Sequence, residues 1–194
     1  MIDWTPLTAL IVVDCQNDFA DPEGTLYVRG GKAVIAAVNG AIADAVKAGS
    51  PVFYTQDWHP EKTPHFKKYG GIWPVHCVAG TWGAEFHPAL VRTGSVVRKG
   101  ANGEDGYSGF TMRDPVNGTE ISTELEGLLR DAEVESVVVT GLALDYCVKA
   151  TAVDAAGLGY RTLVPLQLTA AVELVAGDGE AAAAEIRASG AEVI

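Results

Sequence analysis

Four kinds of reactive side chain stand where four apolar, strand-like runs of this 194-residue chain end. They are the carboxylate of Asp14, the pair Asp57 and His59, the amine of Lys99 and the thiol of Cys147. Because ligands of an open parallel sheet bind outside the carboxyl ends of its strands, we expect these side chains to share one rim. A nucleophile, a carboxylate, a lysine and a metal-ligand pair on one rim predict an enzyme.

Cys147 is the candidate nucleophile. It lies in the first turn of a predicted helix, where free N–H groups and the helix dipole favour a thiolate. The N–H groups of the preceding strand-to-helix turn could also form an oxyanion hole. The alternative is a buried structural cysteine, which is the role we predict for Cys15 and Cys77.

Asp14 is the candidate general base, because a carboxylate at a buried strand end is costly unless it is paired or takes part in chemistry. It would deprotonate Cys147 and later protonate a leaving amine. Lys99 would favour the anionic forms of both groups. A structural ion pair between Asp14 and Lys99 is the alternative. Asp18 is predicted to be a turn or helix-cap residue.

Asp57 and His59 form the candidate metal site, because residues two apart in an extended chain face the same side. His76 in the downstream loop would complete a set of two histidines and a carboxylate that suits Zn, Mn or Fe. His65 is a further candidate, either on the metal or behind the ligands. The alternative is that these histidines are solvated loop residues, and we predict that role for His87.

Three aromatic residues, Phe19, Trp73 and Tyr107, lie near these candidates in the sequence. They would wall a cavity for a flat, aromatic substrate. The alternative is that they pack in the core, and the sequence leaves both interpretations open.

Composition and charge narrow the classes of partner. A net charge of −11 with scattered acidic residues argues against nucleic acid and anionic membranes as partners.

The length and the 48% of hydrophobic residues predict one domain over residues 1–194. We predict no signal peptide or membrane span, and three cysteines without paired spacing predict a reducing cytoplasm. A homo-oligomer is compatible with the sequence, which does not determine assembly.

Strand-like runs alternate with helical stretches, a pattern typical of a parallel sheet covered on both faces. The predicted strands are 9–13, 52–55, 96–98, 137–139, 161–165 and 191–194. The predicted helices are 32–48, 122–132, 145–158 and 179–189, with Ser122 and Thr123 as candidate caps of the second. Segments 60–94 and 101–118 are too long for simple connections and are predicted to be functional loops.

The chain resembles the nicotinamidases of the isochorismatase-like cysteine hydrolase superfamily along nearly its whole length. The motifs that carry this resemblance are VDCQNDF (13–19), DWHP (57–60), WPVHCVAGT (73–81), VRKG (97–100), YSGF (107–110) and GLALDYCV (141–148). The Asp, Lys and Cys motifs are those of the superfamily. The set Asp57, His59 and His76 points to its metal-dependent nicotinamidase branch.

The resemblance implies a three-layer α/β/α fold with a six-stranded, mainly parallel sheet. It implies a catalytic set of Asp14, Lys99 and Cys147, and a cis peptide bond between Leu142 and Ala143. The N–H groups of Ala143 and Cys147 would form the oxyanion hole.

The activity that the resemblance implies is hydrolysis of nicotinamide to nicotinic acid and ammonia through a cysteine thioester, a step of NAD salvage. Pyrazinamide is a further candidate substrate. One divalent transition metal ion, with zinc favoured over Mn or Fe, would bind the pyridine nitrogen and hold water. Phe19, Trp73 and Tyr107 would pack against the ring.

Three other functions are alternatives to this activity. Another small-amide hydrolase of the superfamily is the nearest, and the metal set argues against it. A non-catalytic protein that binds a metal or a small molecule would lack one catalytic residue, and none is missing. A thiol redox protein is disfavoured because the chain has no Cys-x-x-Cys motif.

Overall fold

The computed structural model describes residues 2–194, and a parallel sheet lies at its centre. The strands, in chain order, are β1 Thr8–Val13, β2 Val52–Asp57, β3 Ser95–Lys99, β4 Thr111–Arg113, β5 Glu120–Ser122, β6 Ser136–Leu142, β7 Arg161–Val164, β8 Thr169–Ala170 and β9 Glu192–Val193. The α-helices are α1 Asn17–Ala20, α2 Gly31–Lys47, α3 Leu125–Asp131, α4 Lys149–Gly157 and α5 Asp178–Ala188. A π-helical turn, Leu144–Val148, precedes α4, and short 3-10 turns are Lys67–Tyr69, Trp82–Ala84 and Leu166–Leu168.

The main sheet has the order β3-β2-β1-β6-β7-β9, and all of its strand pairs are parallel. This confirms the predicted, mainly parallel sheet, with six strands in this order. The two-residue strand β8 adds a seventh member by pairing with the end of β6. β4 and β5 form a separate antiparallel pair, which the sequence analysis did not predict.

Side chains of the central strand β1 alternate between the two faces of the sheet. Leu10 and Val12 lie in one hydrophobic cluster with the buried face of α2. Ile11 and Val13 lie in a second cluster with α3, α4 and α5. Because both faces of β1 are covered, its six residues are all buried, as the continuous apolar run predicts. The fold is therefore the expected three-layer α/β/α arrangement.

One predicted helix start is wrong. Ser122 does not cap a helix, because it is the last residue of β5 and pairs with Thr111 of β4. Helix α3 begins at Leu125, whose N–H donates to the Thr123 hydroxyl.

Across residues 2–194, none of the helices combines the length and the apolar character that crossing a bilayer requires.

The parallel strands bring four chain segments to one edge of the sheet. β1 lies between β2 and β6, and β3 pairs with β2 on its other side. Asp14 directly follows β1, and the last residues of β2 and β3, Asp57 and Lys99, lie opposite each other in register. β6 ends at Leu142, the peptide bond to Ala143 is cis, and the π-helical turn follows.

Candidate active site

Asp14, Lys99 and Cys147 meet at the carboxyl edge of the sheet, and all three are buried. The Lys99 ammonium nitrogen lies 2.8 Å from Oδ2 of Asp14 and 3.6 Å from the sulfur of Cys147. Carboxylate oxygens of Asp14 and Asp57 and the Cys147 sulfur lie within 4.8 Å of one another. The structure therefore brings together a thiol, a carboxylate that can accept its proton and a fixed positive charge.

Asp14 is held in an unusual backbone conformation. Its φ of 45° lies in the left-handed region, which aspartate tolerates better than most residues. The Thr55 hydroxyl donates to Oδ1 of Asp14 at 2.6 Å, and the Asp14 N–H donates to the Thr55 carbonyl at 3.2 Å. Left-handed non-glycine residues cluster at functional sites, where the surroundings hold them in place. Thr55 and Lys99 together orient this carboxylate.

Burial changes the expected protonation state of Cys147. Its position in the first helical turn predicted a stabilised thiolate, but burial raises the pKa of the thiol well above its usual value. Lys99 opposes this rise in pKa, while the negative charges of Asp14 and Asp57 add to it. Burial therefore favours the neutral thiol and opposes the effect of the helix dipole. A base must take the proton before the sulfur can attack.

Lys99 pairs with two carboxylates at once. Its nitrogen lies 2.8 Å from Oδ1 of Asp57 as well as 2.8 Å from Asp14, and 3.2 Å from the carbonyl of Tyr107. Burial disfavours the charged amine, but Asp14 and Asp57 outweigh it and raise the pKa of Lys99 well above its usual value. The expected Asp14–Lys99 ion pair is therefore present, and it extends to a residue of the predicted metal set.

The two carboxylates that share Lys99 differ in acidity. Burial raises the pKa of Asp14 above its usual value, although Lys99 and the Thr55 hydroxyl lower it. Burial also disfavours the Asp57 anion, but Lys99 and His59 hold the pKa of that carboxyl well below its usual value. A pair of carboxylates with separated pKa values divides its roles, so Asp57 is the fixed anion and Asp14 is the group that can carry a proton.

Three histidines form a cluster, and two of them face Asp57. One ring nitrogen from each of His59, His65 and His76 lies within 4.8 Å of the other two. Oδ2 of Asp57 lies 3.7 Å from Nε2 of His59 and 4.0 Å from Nε2 of His76. All three rings are buried, so the alternative of solvated loop residues is wrong for them.

The hydrogen bonds of these rings fit a metal site. Nδ1 of His76 contacts the carbonyl of Pro74 at 2.8 Å and therefore carries the proton, which leaves the lone pair of Nε2 free. Burial lowers the pKa of His76 to about 4, so the ring is neutral at neutral pH. Among residues 2–194, neither ring nitrogen of His59 has a hydrogen-bond partner, although both are buried. The neutral His76 ring, the unpartnered nitrogens of His59 and the fixed carboxylate of Asp57 suit a divalent transition metal ion.

Gly100, next to Lys99, leaves the space that the His59 ring occupies. A Cβ atom at Gly100 would lie 2.6 Å from Nδ1 of His59 and 2.8 Å from Cε1. Gly100 also has a φ of 74°, which residues with a side chain rarely adopt. The chain turns away from β3 at this glycine without displacing the ring.

One cavity connects the thiol with the histidines. The predicted residues that line it are Phe19, Asp57, His65, Trp73, His76, Tyr107, Ala143 and Cys147. Trp73 donates from Nε1 to the Tyr107 hydroxyl at 3.0 Å, so the two aromatic side chains are fixed relative to each other. The three predicted aromatics therefore border this cavity. The same cavity is bordered by both residues of the predicted oxyanion hole.

Three further residues line the cavity without having been predicted from the sequence: Leu26, Tyr146 and Val172. The Tyr146 ring packs edge-on against Trp73 and Tyr107, with centroid distances of 4.8 and 5.3 Å. Its position next to Cys147 was a signal that could have identified it. Leu26 and Val172 are ordinary apolar residues, and nothing in their local sequence distinguishes them from core residues.

Two further expectations about polar residues need correction. His87 is buried rather than solvated, and its Nε2 lies 3.7 Å from Oδ2 of Asp21. Asp18 lies inside α1, whose N-cap is Gln16, and its carboxylate accepts hydrogen bonds from the N–H groups of Cys77 at 2.7 Å and Thr25 at 3.0 Å. The hydrogen bond from Cys77 holds the loop that contains His76 in place.

Cys15 and Cys77 are buried and unpaired, as structural cysteines would be. Burial raises the pKa of both thiols above their usual values. Neither residue lines the cavity that contains Cys147. Of the three thiols, that of Cys147 therefore borders a cavity, whereas those of Cys15 and Cys77 are packed in the interior.

A parallel α/β sheet with a buried thiol, carboxylate and lysine at its carboxyl edge is the architecture of a cysteine hydrolase. The model of the isochorismatase domain matches residues 8–194. The chain belongs to the isochorismatase family.

Individual relatives agree with this assignment. The nicotinamidase/pyrazinamidase of Mycobacterium tuberculosis is 40% identical over 97% of this chain and 98% of its own length. The crystal structure of PnC1 from L. infantum in complex with nicotinate has a TM-score of 0.88 and 37% identity, covering 100% of this chain and 95% of that one. The pyrazinamidase of Pyrococcus horikoshii in complex with zinc has a TM-score of 0.85 and 35% identity, covering 97% and 99%.

Proposed function

We propose that this chain is a metal-dependent amidase that hydrolyses nicotinamide to nicotinic acid and ammonia, a step of NAD salvage. The observation that carries the proposal is the single cavity shared by Cys147, by His65 and His76, and by the aromatic side chains of Phe19, Trp73 and Tyr107. A thiol, a base and an aromatic wall suit a flat aromatic amide. The nicotinamidase relatives and the nicotinate-bound neighbour support the same substrate class.

The first half of the reaction is acylation of Cys147. Asp14 accepts the thiol proton as the sulfur attacks the amide carbon, and the carbonyl oxygen takes up the negative charge. The N–H groups of Ala143 and Cys147 hold that oxygen. When the tetrahedral adduct collapses, the C–N bond breaks, Asp14 returns its proton to the nitrogen, and ammonia leaves. A thioester with the nicotinoyl group remains on the sulfur.

The second half is hydrolysis of the thioester. Asp14, now an anion again, accepts a proton from water as the water oxygen attacks the thioester carbon. The C–S bond then breaks, and the proton on Asp14 restores the Cys147 thiol. Nicotinic acid leaves. Lys99 stays protonated throughout, because its pKa is raised, and it limits the accumulation of negative charge around Asp14.

Asp57, His59 and His76 would hold one divalent metal ion, with His65 as the fourth protein ligand. Zinc is the favoured ion, supported by the nitrogen-rich donor set and by the zinc complex of the P. horikoshii neighbour. When bound, the ion supplies a Lewis-acid contact for the pyridine nitrogen and for water. Phe19, Trp73 and Tyr107 hold the ring.

Pyrazinamide is proposed as a second substrate, because its ring also has a nitrogen meta to the carboxamide. We further propose that residues 1–194 act as one domain and that the enzyme resides in the cytoplasm. The three unpaired cysteines support a reducing compartment.

Ammonia release from nicotinamide by the purified, zinc-loaded chain tests the proposed function. We expect turnover of nicotinamide and pyrazinamide, and little or none of benzamide, which has the same ring size without a ring nitrogen. Mass spectrometry of protein quenched during turnover should detect the nicotinoyl adduct on Cys147. Equal turnover of benzamide and nicotinamide would instead favour a general small-amide hydrolase of the same family.

A further inference from the structure

Asp105 contacts one of the histidines of the cavity from outside. Its Oδ1 lies 2.6 Å from Nδ1 of His65. The His65 ring is 5% exposed, whereas the Asp105 side chain is 53% exposed, so the carboxylate approaches a buried ring from the solvent side. An ionised carboxylate can only accept, so Nδ1 of His65 is the donor, and a metal ion would bind at the other ring nitrogen, Nε2.

The position of Asp105 is itself fixed by the chain around it. Its N–H donates to the Arg113 carbonyl at 2.8 Å, and the Arg113 N–H donates back to the Asp105 carbonyl at 2.6 Å. The Gly106 N–H donates to the same Oδ1 that faces His65, at 2.9 Å. The backbone bonds to Arg113 of β4 thus fix the position of the Asp105 carboxylate, so the β4–β5 pair contributes to the geometry of the site.

The His65 ring is held on its other sides by aromatic groups. It stacks on the His59 ring with a centroid distance of 4.8 Å and lies 5.3 Å from the His76 ring. A ring with its plane fixed by stacking still has two orientations, related by a flip. The hydrogen bond from Nδ1 to Asp105 selects the orientation that leaves Nε2 free to bind.

We propose that Asp105 is a positioning residue that orients His65 as a ligand of the metal ion. The inference rests on the proposed metal-dependent function. A carboxylate behind a histidine fixes the tautomer, holds the ring and makes the ligating nitrogen more basic. Asp105 does not line the substrate cavity, and its side-chain hydrogen bond to the site is the one with His65.

Zinc affinity is the measurement that tests this role. Metal-free proteins are titrated with Zn²⁺ against a fluorescent chelator, for wild type, Asp105→Ala, Asp105→Asn, His65→Ala and the double variant. We expect Asp105→Ala to weaken zinc binding by about 10–100-fold. Asp105→Asn, whose amide oxygen can still accept from His65, should lose less. Thermal unfolding of each metal-free protein reports whether the variants fold.

Glu104→Gln is the matched control. It removes one negative charge from the neighbouring position, but the Glu104 carboxylate accepts from the N–H and side chain of Asn102, at 2.8 and 2.9 Å, rather than from His65. Zinc affinity of Glu104→Gln should stay within about twofold of wild type, the range expected of an independent site. An equal loss in Glu104→Gln and Asp105→Asn would overturn positioning and indicate a long-range charge effect.

The double variant separates positioning from loop stability. In the His65→Ala background, Asp105→Ala should change zinc affinity by no more than about twofold, because the ring it acts through is gone. A full additional loss in that background would overturn the proposal, as would unchanged affinity in Asp105→Ala or in His65→Ala. Because zinc affinity is measured without substrate, these results stand apart from failure of nicotinamide hydrolysis.

Discussion

The ammonium nitrogen of Lys99 lies 2.8 Å from Oδ1 of Asp57, a residue of the predicted metal set. The same nitrogen lies 2.8 Å from Oδ2 of Asp14, so one buried cation pairs with both a residue of the metal set and the general base. Removing a partner from a buried ion pair leaves an uncompensated charge. Lys99 is therefore expected to affect folding, metal binding and chemistry together, rather than the acylation step alone.

Replacement of Lys99 by Met should destabilise the metal-free protein by about 3–5 kcal/mol, because two buried carboxylates lose their cation. Nicotinamide turnover should also fall strongly, since Asp14 becomes harder to ionise. Urea denaturation and single-turnover acylation measure the two effects. Lys149→Met is the control: its ion pair with Glu185 is partly exposed and should cost at most about 1 kcal/mol. Normal stability and acylation in Lys99→Met would reduce Lys99 to a dispensable core residue.

Replacement of Cys147 by Ala should lower nicotinamide turnover by a factor on the order of 10⁴ or more, because no other group can form the thioester. Zinc content should be unchanged, since the metal set does not include the sulfur. Ammonia release and elemental analysis test both statements. Cys77→Ala removes a buried thiol outside the cavity and should retain turnover. Substantial hydrolysis by Cys147→Ala would falsify covalent catalysis at this residue.

Removal of the metal with a strong chelator should suppress nicotinamide hydrolysis, and a divalent transition metal should restore it. Asp57→Ala should lose both zinc and activity, because it removes the only predicted carboxylate ligand. Elemental analysis beside ammonia release is the measurement. Asp21→Ala is the control, since Asp21 also pairs with a buried histidine, His87, but lines no part of the cavity. Full activity in verified metal-free protein would instead indicate a metal-independent hydrolase of the family.

Replacement of Gly100 by Ala should displace the His59 ring, because the new Cβ would lie 2.6 Å from Nδ1. We expect zinc affinity to fall by at least about tenfold, the lower end of losses from disturbing a ligand's surroundings. Gly103→Ala separates the clash from backbone strain: Gly103 has a φ of 91°, but its nearest neighbour, in Pro60, lies 3.9 Å away. If both variants lost zinc affinity equally, backbone strain alone would explain the loss.

The residue types and their places at strand ends could be predicted from the sequence, and for a physical reason. Strands of a parallel sheet covered on both faces read as continuous apolar runs, so the polar residue that ends each run is conspicuous. Asp14, Asp57 and Lys99 stand out in this way. Because parallel strands present their carboxyl ends at one edge, the convergence of these residues followed from the fold class.

Only the tertiary structure decided the protonation of the site and the contacts made by its long loops. The position of Cys147 in a first helical turn favours a thiolate, but burial raises the pKa of the thiol, and the charges of Asp14 and Asp57 add to that rise. This burial arises from packing between distant segments. The contact of His65 with Asp105 joins positions 40 residues apart across two irregular loops. Loops have no periodic pattern that reports their faces, so local sequence predicts which residues they offer but not which residues meet.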